Sequence, residues 1–159
     1  MGKDGKYGFI DTDGNLAVPL IYDRVESFSE GLAYAEKDGK KAFIDTSGNE
    51  VFSCDEYEYV SSFSSGLSYT EKDGKKAFID TKGNEVFQCN EYDGISYPSY
   101  PYFMEGLAVV EKDGGYGYID TSGSVVVPFI YDKARDFNEG LAWVKMDGEW
   151  GILEISPEA

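Results

Sequence analysis

The sequence predicts an all-β fold: an open, curved, solenoid-like array of four antiparallel β-hairpin/meander repeats of about 35 residues, with a C-terminal capping strand. Three observations carry this expectation. One motif is written four times in the same internal order, and each copy is punctuated by an Asp-Gly dipeptide between strand-like runs. The aromatic block that opens the motif then recurs a fifth time at Trp150-Gly151-Ile152-Leu153.

The anchors are Asp38-Gly39, Asp73-Gly74, Asp113-Gly114 and Asp147-Gly148. Counted from the glycine, the units are 5–38, 39–73, 74–113 and 114–147, with a partial cap at 148–155, so 1–159 reads as a single array. Each unit begins with an aromatic-rich block: Tyr7-Gly8-Phe9-Ile10-Asp11, Ala42-Phe43-Ile44-Asp45, Ala77-Phe78-Ile79-Asp80 and Tyr116-Gly117-Tyr118-Ile119-Asp120. A Thr-x-Gly turn follows, then a short strand such as Leu16 to Val18 or Val125 to Val127. The next stretch, Tyr22 to Gly31 in the first unit, reads as a connector pinned by its Tyr and its Phe. A Gly-Leu pair then opens the closing strand.

Asp-Gly between strands is the preferred two-residue type I′ hairpin loop, and a loop fixes a register. With Asp38-Gly39 at the tip, Tyr34 faces Phe43, Ala35 faces Ala42 and Glu36 faces Lys41. The same rule pairs Tyr69 with Phe78, Val109 with Tyr118 and Trp143 with Ile152, large against large each time. Lys145 falls opposite Trp150, which allows a cation–π contact. One unit cannot bury its own apolar face, so neighbours must stack. Five copies of the opening block fit an open array better than a closed four-bladed ring; a closed β-propeller-like ring is the alternative.

The Trp/Tyr-Gly-Phe/Tyr-Ile-Asp block, the Pro-x-x-Tyr-Asp of Pro19 to Asp23 and Pro128 to Asp132, and Phe28-Ser29-Glu30-Gly31-Leu32-Ala33 together resemble the bacterial WG repeat. The resemblance covers nearly the whole chain. The middle units depart from it, with Lys41-Ala42 and Lys76-Ala77 in place of the aromatic-Gly pair and Cys54 and Cys89 in place of the proline. It implies a tandem β-repeat of bacterial origin and no shared catalytic activity.

Composition narrows the function. Against 14 basic residues stand 30 acidic ones, for a net charge of −16, so phosphates and anionic lipid repel this chain and nucleic acid is not the expected partner. Histidine is absent, which removes His-based triads and His metal ligands. No apolar run is long enough to insert into a membrane, and Met1 to Lys6 has no signal-peptide core, leaving the compartment open.

Three motifs invite chemical readings. Asp11-Thr12-Asp13-Gly14-Asn15 resembles a calcium loop, but its glycine is fourth and Tyr22 stands where the closing Glu belongs; a turn in which the Asp bonds nearby backbone explains all four copies. Cys54 and Cys89 read as small buried thiols at equivalent positions, with no His to activate either. The carboxylates are spread evenly over the repeats, as a solvated acidic surface requires, whereas glycoside hydrolysis needs one asymmetric pair. No catalytic residue, metal or cofactor is expected.

The one asymmetry is an insertion of five residues in the third unit, within Ser96-Tyr97-Pro98-Ser99-Tyr100-Pro101-Tyr102. Insertions of this kind map to one face of a repeat array, often the binding face, so Tyr97, Tyr100 and Tyr102 are the candidate binding residues. The sequence thus predicts a non-enzymatic repeat scaffold for protein–protein contact, with a basic partner favoured by the acidic surface. A glycan- or cell-wall-binding module using exposed tyrosines is the alternative.

Overall fold

Each of the four anchor Asp-Gly dipeptides folds the chain back on itself. At Asp38 and Gly39 φ is 51° and 79°, both positive as a type I′ turn demands, and Asp73-Gly74, Asp113-Gly114 and Asp147-Gly148 match. The protein, a computed structural model, is described over residues 2–95 and 103–155. These residues form five separate antiparallel sheets. The first holds β1 (Gly2–Lys3), β2 (Lys6–Ile10) and β3 (Leu16–Tyr22). The second holds β4 (Arg24–Val25), β5 (Leu32–Lys37), β6 (Lys40–Asp45) and β7 (Glu50–Ser53). The third holds β8 (Tyr59–Val60), β9 (Leu67–Lys72), β10 (Lys75–Asp80) and β11 (Glu85–Gln88). The fourth holds β12 (Gly94–Ile95), β13 (Leu107–Lys112), β14 (Gly115–Asp120) and β15 (Val125–Tyr131), and the fifth β16 (Lys133–Ala134), β17 (Leu141–Met146) and β18 (Glu149–Glu154).

The register follows the turn arithmetic in all four hairpins: Tyr34 opposes Phe43, Tyr69 opposes Phe78, Val109 opposes Tyr118 and Trp143 opposes Ile152. Among the described residues the first and last sheets share no ladder and the five sheets stay separate, as an open array requires. Sheets and sequence repeats are out of phase. The second, third and fourth sheets each take a short strand and a long strand from one unit, then two strands from the next. The connector contains a short strand of its own, β4, β8, β12 or β16, which the sequence reading did not resolve.

Neighbouring sheets stack through buried clusters that run along the array. Phe43, Cys54, Phe63 and Ile79 share one cluster, and Phe78, Cys89, Phe103 and Ile119 share the next. Cys54 and Cys89 are buried, free thiols in different clusters, each pushed up to about 12 by burial. Hydrogen bonds repeat along the outside. The Ser29 hydroxyl donates to the Phe63 carbonyl at 2.6 Å, and the Ser64 hydroxyl to the Phe103 carbonyl at 2.6 Å. The Glu105 carboxylate accepts from the Glu139 and Gly140 N–H groups at 2.7 and 2.9 Å. The Asp that ends Pro-x-x-Tyr-Asp braces the next hairpin: Asp23 accepts the Asp38 N–H at 2.8 Å, and Asp132 the Gly148 N–H at 3.2 Å.

The two departures of the middle units are one structural fact. In the first and fourth sheets the Val-Pro segment bulges, so that Tyr7 opposes Tyr22 and Phe9 opposes Val18, leaving Gly8 alone against three residues. A Cβ at Gly8 would lie 2.4 Å from the Val18 carbonyl oxygen, and one at Gly117 2.4 Å from that of Val127. Only glycine fits beneath the bulge. In the second and third sheets Ala42 pairs directly with Ser53 and Ala77 with Gln88, without this bulge, and a methyl group is accommodated. Glycine accompanies Val-Pro, and alanine accompanies the Cys strand.

Candidate functional site

The last sheet is the one whose centre is bare. In the second, third and fourth sheets the residue facing the large partner across the hairpin is buried, with Phe43 and Phe78 1% exposed and Tyr118 0%. Its counterpart Ile152 is 57% exposed, and Trp143 and Trp150 on the same face are 53% and 45% exposed. The opposite face is covered: Ala142 and Val144 join Val109, Tyr118, Ala134 and Phe137 in a buried cluster. The difference has a simple origin. In the middle sheets residues within or between the strands of the following sheet cover this face, Phe63 and Ile79 packing with Phe43 and Phe103 and Ile119 with Phe78, whereas the cluster at the last sheet does not include Ile152. This exposed apolar face is the candidate contact surface of the array.

Beside it lies a cleft of about 400 Å³, lined by Val109, Tyr116, Lys133, Ala134, Arg135, Asp136 and Trp150. The Tyr118 hydroxyl donates to the Arg135 carbonyl at 2.7 Å and fixes this segment. The cation over the Trp150 ring is Arg135, at 5.6 Å, and not the Lys145 that the register placed opposite it. Lys145 pairs with Trp150 across the ladder, but Arg135 reaches the ring from the short-strand side. Asp136 has one carboxylate oxygen, Oδ1, that is buried without a hydrogen-bond partner among the described residues, and burial pushes its carboxyl above the usual range.

The inserted segment with Tyr97, Tyr100 and Tyr102 lies outside the described residues. The last sheet escaped the sequence reading because that reading looked for an insertion in the repeat. Its signal was in plain view: the chain's two Trp residues both fall in this sheet.

The acidic turns carry their own explanation. The Asp11 carboxylate accepts the Asp13 and Asn15 N–H groups at 2.9 and 2.8 Å, and Asp45, Asp80 and Asp120 repeat the pattern. These hydrogen bonds hold the four carboxyls below the usual range. Among the described residues no group of three or more His, Cys, Asp or Glu side chains is arranged to hold a metal.

Among solved structures the chain is similar to BamB from Moraxella catarrhalis, at 14% identity and a TM-score of 0.49, covering 98% of this chain and 53% of that one. It is also similar to a streptogramin B lyase (14%, TM-score 0.39, 96% and 63%). A third is the extracellular domain of a one-component system from B. thetaiotaomicron (13%, TM-score 0.38, 93% and 24%). The chain thus spans less than two thirds of each of these structures, about half in the case of BamB. No curated protein matches it. The WG containing repeat matches four times in tandem, over residues 7–40, 42–75, 77–116 and 116–150, so that nearly every strand described above falls within a copy. The chain belongs to the WG-containing repeat family.

Proposed function

We propose that the array is a non-enzymatic scaffold for protein–protein contact, with the bare face of the last sheet as its contact surface. The observation that carries this reading is the exposure of Ile152, at a position that is buried in each complete sheet. Two indoles flank it, and Trp is among the residues that dominate binding energy at protein interfaces. The net charge of −16 favours a partner that is basic outside the contact. Tyr97, Tyr100 and Tyr102 join the proposal as contact residues of the third unit. Pull-down from the source cell with the intact array, read by mass spectrometry, is the test. A partner held by the native chain and lost from Trp143→Ala/Trp150→Ala supports the reading, and an identical or empty set from both overturns it.

A second reading, saccharide binding, is favoured by the cleft. Trp150 and Tyr116 offer aromatic surface, and Asp136 Oδ1 offers an acceptor for a sugar hydroxyl. A glycan array separates the two: binding that Asp136→Ala abolishes supports the saccharide.

A further inference from the structure

We propose that Ser65 is a phosphorylation site, and that its phosphate clasps the next turn of the array where, among the described residues, no carboxylate does so. The phosphoryl donor is a nucleoside triphosphate and the catalyst a protein-serine kinase.

Shortly after its connector Phe, each unit makes a tight turn with positive φ at two successive residues: Glu30-Gly31, Ser65-Gly66, Glu105-Gly106 and Glu139-Gly140. Successive backbone N–H groups in such a turn form a concavity suited to an anion. The array fills these concavities with its own side chains. The Glu30 carboxylate accepts the Gly66 N–H at 2.8 Å. The Glu105 carboxylate accepts the Glu139 and Gly140 N–H groups at 2.7 and 2.9 Å. Each carboxylate thus clasps the turn of the following unit. The joint between the second and third turns differs, because Ser65 stands where the other three turns have Glu. The Glu105 and Gly106 N–H groups, equivalent to those of Glu139 and Gly140, have no acceptor among the described residues.

Ser65 is placed to serve that joint. Its side chain is half-buried and directed at the third turn, with Oγ 3.4 Å from the Phe103 carbonyl oxygen. That carbonyl already takes a 2.6 Å bond from the Ser64 hydroxyl, so the Ser65 hydroxyl is held only by a long contact. Phosphorylation gives serine the reach of glutamate: the terminal oxygens of phosphoserine stand three bonds from Cβ, as the carboxylate oxygens of Glu do. It also adds about −1.5 to −2 charge at pH 7 and three strong acceptors, and bonds from backbone N–H to an anion are among the stronger hydrogen bonds. In the transfer, Ser65 Oγ attacks the terminal phosphorus of the nucleoside triphosphate. The new Oγ–P bond replaces the P–O bond to the departing nucleoside diphosphate, and the hydroxyl proton passes to the kinase's base. The array then holds two permanent clasps, at Glu30 and Glu105, and a conditional one at Ser65. The conditional joint adjoins the five-residue insertion, which ends in sequence just before Phe103.

Two measurements test the proposal. The chain is recovered from its source cell in the presence of phosphatase inhibitors, and phosphate is located by fragmentation mass spectrometry. Phosphate on Ser65 is the expected result. Its absence through growth and starvation, or phosphate on Ser64 in its place, overturns the proposal. The full chain is then compared with and without phosphoserine installed at position 65. The amide protons of Glu105 and Gly106 should move downfield in the NMR spectrum and titrate with the phosphate near pH ~6. The melting temperature should rise by roughly 2–4 °C, and Ser65→Glu should raise it in the same sense without that titration. Amides at 105 and 106 that ignore the phosphate, or a lower melting temperature, overturn the proposal even if Ser65 is modified in the cell. Phosphoserine installed at position 64 is the control: the same response from there marks a general effect of charge and also overturns it.

Discussion

The Ser29 hydroxyl donates to the Phe63 carbonyl at 2.6 Å, across 34 residues of sequence and from one unit to the next. Ser64 makes the same bond to Phe103. These bonds tie successive Phe turns together, so each stabilises the stacking of two units and not one unit alone. Ser29→Ala should cost about 1 kcal/mol and lower the melting temperature by roughly 2–4 °C. The double variant with Ser64→Ala should depart from the sum, because Ser64 directly follows the acceptor Phe63 and the two bonds share one turn. Calorimetry of the three variants checks both statements.

Glycines 117 and 151 occupy equivalent places and should respond oppositely to a methyl group. Gly117→Ala forces a Cβ to 2.4 Å from the Val127 carbonyl oxygen and should destabilise by about 1–3 kcal/mol or more. Gly151→Ala meets open space and should change stability by no more than about 0.5 kcal/mol. Urea denaturation of the two variants separates them.

Asp136 gives a pH signature. Its folded-state pKa lies above the unfolded value of about 3.9, so the charged form is disfavoured in the fold. That cost is present at neutral pH and fades as pH falls through the folded pKa and then below the unfolded one. Asp136→Asn should therefore melt higher than the native chain at pH 7, with the gap closing toward pH ~4. Asp11, Asp45 and Asp80, held low chiefly by the Asn15, Asn49 and Asn84 N–H groups, have the opposite sign, as does Asp120 beside the Ser122 hydroxyl. Their contribution is present above the unfolded pKa and is lost as pH falls through the folded one. Melting curves from pH 7 downward should accordingly show the native chain losing stability below pH ~4 while its deficit against Asp136→Asn shrinks.

The two thiols should be silent until the array opens. Burial pushes Cys54 and Cys89 up to about 12, and the thiolate is the reactive form. An aromatic disulfide reagent at pH 8 should label neither in the native chain and both in denaturant. The midpoint of labelling should coincide with the loss of β circular dichroism.

The hairpins were legible because Asp-Gly suits two consecutive positive-φ residues, and the turn then sets the register. A second family of such turns was not legible. Glu30-Gly31, Ser65-Gly66, Glu105-Gly106 and Glu139-Gly140 also have positive φ at both residues, yet Glu and Ser carry no preference for that conformation. The short strands β4, β8, β12 and β16 were hidden for a different reason, since two residues are too few to show alternation. The Gly8–Val-Pro and Ala42–Cys54 associations stood in the sequence as two separate departures from the repeat. Their common cause, a bulge that leaves no room for a Cβ, needed coordinates.

The most direct test is hydrogen exchange, read by mass spectrometry segment by segment. Residues 149–154 should exchange faster than the equivalent strands 40–45, 75–80 and 115–120, because of these four strands only β18 lies at the edge of its sheet among the described residues and its centre, Ile152, is exposed. Protection of 149–154 equal to that of 115–120 would contradict the account.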